Sequence, residues 1–284
     1  MEVVPVFQLP FKAAFLIFII FSVIGWVSEV LYVGIFSEHK FVNRGFLHGP
    51  LCPVYGFGGI VILLLPKELY NTWIPLYFSS MILCTIVEYF VSWLMEKMFH
   101  ARWWDYSHYK LNIKGRVCAL NSILFGFMGL GIIRFVYPQI IRFLNFLGDF
   151  WMTVSSTAIA LLLTADIIVT VRKLVDFNTA MEKIKEFGEN LNDRYGNESW
   201  FKGTSAFAMA ESVKNHAQIE KEKFSKNVLE KIERLQEKNH KNIESFMKRF
   251  PTMKIEKYTN ELAELKTRYI SKKDEKKKKR EDKK

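Results

Sequence analysis

The sequence predicts an all-α protein: a polytopic membrane helix bundle of about five transmembrane helices, followed by a basic, cytoplasmic helical or coiled-coil tail. Three observations carry this reading. Half of the 284 residues are hydrophobic, and they gather in long runs. Charge is distributed in a step: residues 1–171 hold 11 Lys/Arg and 9 Asp/Glu, whereas residues 172–284 hold 29 and 20. A soluble domain spreads its charge more evenly, because each helix or strand needs a polar face. Finally, segments of about ten alternating residues, the mark of a membrane β-barrel, are absent. The step divides the chain into a transmembrane bundle (1–171), a cytoplasmic helical tail (172–271) and a basic, disordered C-terminus (272–284).

A helix needs about 20 mostly apolar residues to cross a bilayer. Phe11–Phe36 is the first such run, broken by Lys12, Glu29 and small polar residues. Cys52–Leu65 is apolar but shorter, so it is expected to be tilted, half-buried or re-entrant if it does not span. Trp73–Met98 is the third run. Val117–Tyr137 is the fourth, with glycines at 126, 129 and 131 that let neighbouring helices approach closely. Gly148–Val171 is the fifth. The first run is too long for a cleavable signal peptide, and no small-residue cleavage site follows it. The three cysteines, Cys52, Cys84 and Cys118, lie in or beside these runs and read as buried free thiols rather than a disulfide framework.

Lys and Arg in short loops set orientation. With five spans and a cytoplasmic C-terminus, Lys40, Arg44, Lys97, Arg102, Lys110, Lys114 and Arg116 fall inside. Lys12, Lys67, Arg134 and Arg142 fall outside. That imbalance predicts a multi-pass plasma-membrane protein with its N-terminus outside and its C-terminus in the cytoplasm.

Ionisable groups inside spans are expensive and need a reason. Glu29, Glu88, Glu96 and Asp166 are such groups, in the middle or cytoplasmic half of their helices. Two polar loops join them from the same side: Phe41–Tyr55, FVNRGFLHGPLCPVY, and Phe99–Asn121, FHARWWDYSHYKLNIKGRVCALN. The candidate substrate or partner site is therefore Glu29, Arg44, His48, Glu88, Glu96, His100, Arg102, Asp105, Arg116 and Asn121. Simpler readings stand beside it. Glu96 and His100, one turn apart, could pair. With His48, Asp105 and His108 they could also be metal ligands, but spacing alone does not supply the three or four ligands a site needs. No metal and no cofactor is expected. Trp103, Trp104, Tyr106 and Tyr109 read most simply as an interfacial aromatic belt. Gly45, Gly49, Pro50 and Pro53 read as shaping a tight loop. For Glu88, an ion pair with Arg116 or Arg102 competes with a place in a wet cavity.

No Gly-x-Ser-x-Gly and no His-Glu-x-x-His occurs. The phosphate-binding Gly-x-x-x-x-Gly-Lys-[Ser/Thr] is also missing, so any ATP-driven step belongs to a separate ATPase subunit.

At the two loops the sequence resembles a known family, the bacterial ABC-transporter permeases of the CmpB type. The resemblance spans roughly Phe15–Pro138. It is carried by FVNRGFLHGPLCPVYGFG (Phe41–Gly58) and by EKMFHARWWDYSHYKLNIKGRVCALNSILFG (Glu96–Gly126). It implies a permease; the residues themselves do not.

Beyond Arg172, Leu174, Phe177, Met181, Ile184, Phe187 and Leu191 recur at helical spacing, as one face of a helix continuing out of the membrane. Gly196 interrupts it. Phe224, Val228, Ile232 and Leu235 form a second stripe. After Pro251, Tyr258, Leu262, Leu265 and Tyr269 form a third. Flanking Lys and Glu suit helical hairpins or coiled coils. Lys272–Lys284 has no apolar residue, and its Lys276–Arg280 run is suited to anionic lipid. No nucleic-acid fold motif accompanies the basic tail, so none is expected as a partner. The leading function is permease-type, with a polar site or docking surface on the cytoplasmic face. Two alternatives are an intramembrane enzyme acting on a lipid or head group, with Glu88, Glu96, His100 and Asp105 as acid/base groups, and a membrane scaffold that recruits partners through its tail.

Overall fold

The computed structural model describes residues 5–36, 43–220, 249–250, 252–260, 262–263 and 267. Lys40, the stripe from Phe224 to Leu235, Leu265, Tyr269 and the whole of Lys272–Lys284, with its Lys276–Arg280 run, lie outside them. Helices dominate: α1 (Phe11–Phe36), α2 (Pro53–Leu63), α3 (Ile74–Phe99), α4 (Ala119–Gly131), α5 (Tyr137–Tyr195) and α6 (Ala206–Glu220). A π-helical turn, Ile132–Val136, joins α4 to α5. No strand forms among the described residues; an isolated antiparallel bridge pairs Ile113 with Val117.

Three helical stretches are long and apolar enough to cross a bilayer: Phe11–Tyr32, Ile74–Phe99 and Ala119–Tyr195. The last covers two of the runs seen in the sequence and is interrupted at Gly148, whose φ of 72° and ψ of 168° are not helical. Glycine accepts this backbone where a side chain would be strained. The second run behaves differently from a full span. It gives only the 11 residues of α2, about 16 Å of helix against a hydrocarbon core of about 30 Å. Cys52 and Pro53 start it late, because the preceding residues are committed to a loop that folds back along α1.

The chain forms two compact units, one of Met1–Met98 with Arg102–Val171, the other of Phe99–Ala101 with Arg172–Lys284. In the first, Leu16, Ile17, Phe21, Ile62, Leu63, Leu76, Ile133 and Tyr137 form the heart of an apolar cluster. Small residues set its spacing. A methyl group on Gly59 would meet the Phe21 ring at 2.3 Å, one on Gly56 the Ser22 hydroxyl at 2.3 Å, and one on Gly126 the Tyr77 ring at 2.5 Å. The α1–α2 and α3–α4 pairs are thus closer than Ala would allow, which is how helices gain packing energy where lipid removes the hydrophobic drive. Outward, Phe78, Ile82, Ile86, Phe90, Leu161 and Leu162 are all exposed, as a lipid-facing surface requires.

In the second unit, Leu174, Phe177, Met181, Ile184 and Leu191 are buried, together with Met253, Ile255, Tyr258 and Leu262. The apolar stripe read from the sequence is therefore a core face. The helix ends at Tyr195, just before Gly196. Leu191, Ala210 and Val213 make a smaller cluster with Trp200 and Phe201 against it, and Lys257 pairs with Glu182 at 2.6 Å.

Candidate functional site

Both polar loops of the first unit fold inward, and a few side-chain staples hold each there. In the first loop the Asn43 carboxamide is the hub. Its Oδ1 accepts from Trp26 Nε1 at 2.8 Å and from the Gly45 N–H at 2.9 Å, while its Nδ2 donates to the His48 carbonyl at 2.9 Å. Asp166 on α5 then receives the backbone N–H groups of His48 (2.9 Å) and Gly49 (2.7 Å). The His48 ring packs beside the Thr170 hydroxyl at 3.0 Å and Asp166 at 3.6 Å. The Cys52 N–H finally donates to the Ser22 carbonyl at 3.0 Å. Ser22 lies near the middle of α1, so α2 begins about halfway along its neighbour.

The second loop is a compact hairpin. The Tyr106 N–H bonds the Gly115 carbonyl at 2.8 Å, and Trp104 Nε1 bonds the Arg116 carbonyl at 3.0 Å. Gly115 has φ of 67°, and a methyl group there would meet Asp105 Oδ1 at 2.6 Å, so the turn needs glycine. Trp103 is 3% exposed and meets Phe46 of the first loop edge-on at 5.2 Å. Beyond the hairpin, α4 packs its Ser122 hydroxyl on Thr85 of α3 at 2.8 Å. It too begins beside the middle of a long helix.

This folding brings some of the predicted residues together and separates others. Glu29 accepts the Tyr55 hydroxyl at 2.7 Å. Glu88, 8% exposed, accepts the Tyr106 hydroxyl at 3.2 Å on Oε1, and its Oε2 has no partner. Asn121 stands beside the same carboxyl, and Glu29 is within electrostatic reach of it. These five side chains form a polar centre inside the apolar bundle. Burial, then the Glu88 carboxylate, push the Tyr106 phenol well above the usual tyrosine range, so it remains a donor.

Toward the end of α3 a second, distinct cluster forms. Glu96 takes Arg102 at 3.2 Å and Arg116 at 2.5 Å. Arg102 also approaches Asp105 at 3.9 Å and donates to the Lys114 carbonyl. Asp105 is tied to Ser107 through both its N–H and its hydroxyl. Arg116 further lies over the Tyr89 ring, 5.7 Å from its centroid.

Several expectations change. Both arginines offered to Glu88 go to Glu96, because the hairpin carries them to the end of α3. Glu96 pairs with those arginines rather than with His100, which sits exposed at φ of 53° where α3 ends. The aromatic-belt reading holds at most for Tyr109, which is 50% exposed; Trp103, Trp104 and Tyr106 have specific partners in the protein. Arg44 and His48 belong to the first loop, and the loop geometry is what His48 and Asp166 serve. Cys52, Cys84 and Cys118 are buried free thiols. No group of three or more His, Cys, Asp or Glu is placed to hold a metal ion among the described residues. Tyr55 and Asn43 escaped sequence reasoning. Their positions beside helix starts at Cys52 and in an Asn-x-Gly turn were available signals.

Together these features define an all-α membrane protein whose apolar helices enclose a polar centre supplied by two inward-folded loops. The family described as "Putative ABC-transporter type IV" matches residues 16–171, more than half of the chain, and the chain belongs to that family. The match continues past Pro138 to the end of the apolar region and leaves the tail outside. Comparison with curated proteins and with solved structures returns no match.

Proposed function

We propose that the chain is the membrane-embedded permease subunit of a transporter, with its polar loops on the cytoplasmic side and ATP hydrolysis supplied by another polypeptide. The observation that carries this reading is the polar centre at Glu29, Tyr55, Glu88, Tyr106 and Asn121. Carboxylates inside a bundle cost several kcal/mol unless paired, hydrogen-bonded or hydrated, and no ion pair between described residues takes up Glu29 or Glu88. A translocation route does need polar groups there. Family membership points the same way. The phosphate-binding motif is missing from the sequence, which supports a separate ATPase. The largely covered Glu96–Arg102–Arg116 cluster fixes the hairpin at the end of α3, the side from which such a partner would approach. The bilayer itself is the other partner.

The acid/base set that an intramembrane enzyme would use is dispersed: Glu88 in the polar centre, Glu96 and Asp105 bound to arginines, and His100 exposed. The transport reading is therefore preferred. Its test is purification of the tagged chain from its native membrane in mild detergent. An ATP-hydrolysing polypeptide should co-elute with it. A homogeneous chain with no associated ATP hydrolysis under those conditions defeats the reading.

A further inference from the structure

The two inward loops are versions of one unit. Gly49-Pro-Leu-Cys52-Pro-Val-Tyr55 and Gly115-Arg-Val-Cys118-Ala-Leu-Asn121 share a glycine, an aliphatic residue, a cysteine, another aliphatic residue and then a hydrogen-bonding side chain, in register. In each, the cysteine is the N-cap of a short helix and provides no side-chain cap. Three residues on, Tyr55 meets Glu29 of the preceding long helix, and Asn121 meets Glu88 of the preceding long helix. Helix, inward loop and short helix therefore occur twice, and each copy delivers one carboxylate to the same centre.

When both carboxyls are ionised, the charges at that centre do not balance. Glu29 and Glu88 each accept a phenol hydroxyl, which a carboxyl oxygen does whether ionised or neutral. No ion pair between described residues takes up either of them, since Arg102 and Arg116 are held by Glu96. Tyr55 and Asn121, whose side chains meet the two carboxyls, lie in the first turns of α2 and α4, and a helix N-terminus offers at most about half a positive charge. Two carboxylates against two half-charges leave about one negative charge uncompensated in an apolar bundle. A second observation marks where a ligand would sit. Glu88 Oε2 has no partner, and the Ser92 hydroxyl, one turn on along the same face of α3 and 2% exposed, has none either.

We propose that Glu29 and Glu88 together bind one monovalent cation, an alkali-metal ion or the ammonium group of a small amine. Ca²⁺ takes more oxygen ligands than these side chains offer, and Mg²⁺ demands a near-ideal octahedral set. The Ser92 hydroxyl and the Asn121 carbonyl are neutral oxygen donors of the kind a weakly hydrated cation accepts. The proposal deepens the permease reading by naming the charge of what enters the centre, and it rests on that reading only for its role in transport.

The test is thermal unfolding of the purified full-length chain in detergent at pH 8 and constant ionic strength. NaCl, KCl or methylammonium chloride replaces choline chloride stepwise. At least one of the three should raise the midpoint by several degrees, saturably, as a ligand that binds only the folded state must. A metal ion alone acting indicates an ion site; methylammonium alone acting indicates an amine site. In both cases Glu88→Gln and Glu29→Gln should abolish the response. If one variant fails to fold, the other decides. Equal midpoints in all four salts overturn the proposal, as does a response that survives in the Gln variants. These readouts need neither ATPase nor transport, so a failed cation response with a co-eluting ATPase removes this inference and leaves the permease reading in place.

Discussion

Asp166 Oδ2 accepts the backbone N–H of Gly49 at 2.7 Å, bridging 117 positions of sequence. Its other oxygen takes the neighbouring N–H of His48. One carboxylate on α5 therefore satisfies two backbone donors that no helix or sheet would otherwise serve, inside a bundle where water is scarce. The loop that starts α2 halfway along α1 depends on this side chain.

Asp166→Ala should accordingly cost about 2 kcal/mol, the loss expected when buried donors are left without an acceptor. Asp166→Asn, which keeps one acceptor oxygen, should cost less. A local readout separates loop release from general destabilisation. Cys52 is 6% exposed at the end of this loop, and its reaction with a membrane-permeant maleimide should accelerate in Asp166→Ala, while that of Cys84 stays slow. Equal rates for the two thiols would contradict the assignment.

Glu96 serves two cations, so the effects of removing partners should not be additive. Glu96→Gln strands both Arg102 and Arg116 and should destabilise by about 2–3 kcal/mol, below the range for fully buried pairs because the site is partly solvated. Adding Arg116→Met should recover part of that loss, since it removes the cation most deprived of its partner. The measurement is a double-mutant cycle by thermal or chemical unfolding in detergent, and a strictly additive cycle would exclude the coupling.

The helices were legible because length, hydropathy and the charge step at Arg172 are properties of whole segments. The inward loops were not. Phe41–Tyr55 and Phe99–Asn121 announced themselves as polar, but where Arg102 and Arg116 point is decided by the hairpin turn at Gly115, a long-range geometric fact. Sequence spacing put Glu96 next to His100, whereas the backbone reverses at His100 and returns with two arginines. Trp103 read as interfacial because Trp is abundant there, yet its ring is enclosed against Phe46. The choice of Glu88 as a site residue needed only the cost of a mid-span carboxylate, and Asn121 entered as the end of the second polar loop. Tyr55, whose hydroxyl completes that centre with that of Tyr106, carries no local signature beyond the repeated Gly-x-aliphatic-Cys pattern, and Tyr106 lies outside that pattern.

Orientation rests on loop charge and has a direct check. In a background with Cys52, Cys84 and Cys118 replaced by Ala, Lys110→Cys should resist a membrane-impermeant maleimide in intact cells and react after permeabilisation. Asn145→Cys, exposed near the Gly148 break, should react in intact cells. The reverse pattern would place the polar loops outside and remove the cytoplasmic reading of the site.

Tyr106 separates a specific partner from a belt residue. If its hydroxyl supports Glu88, Tyr106→Phe leaves a buried carboxylate without its donor and should cost about 1–3 kcal/mol. Tyr109→Phe, half exposed, should be nearly neutral. The pH dependence gives an independent check. The folded-state phenol is held above its ordinary value of about 10. Its contribution is therefore complete below about pH 10 and is lost as pH rises further, because the unfolded chain ionises this phenol where the folded chain cannot. Wild-type unfolding midpoints should then fall more steeply above pH 10 than those of Tyr106→Phe. A Tyr106→Phe variant as stable as the wild type, with the same alkaline limb, would return Tyr106 to the lipid interface and leave Glu88 to Asn121 alone. The polar centre would then lack one of its two hydroxyl donors, and Glu88 would be held differently from Glu29, which keeps the Tyr55 hydroxyl.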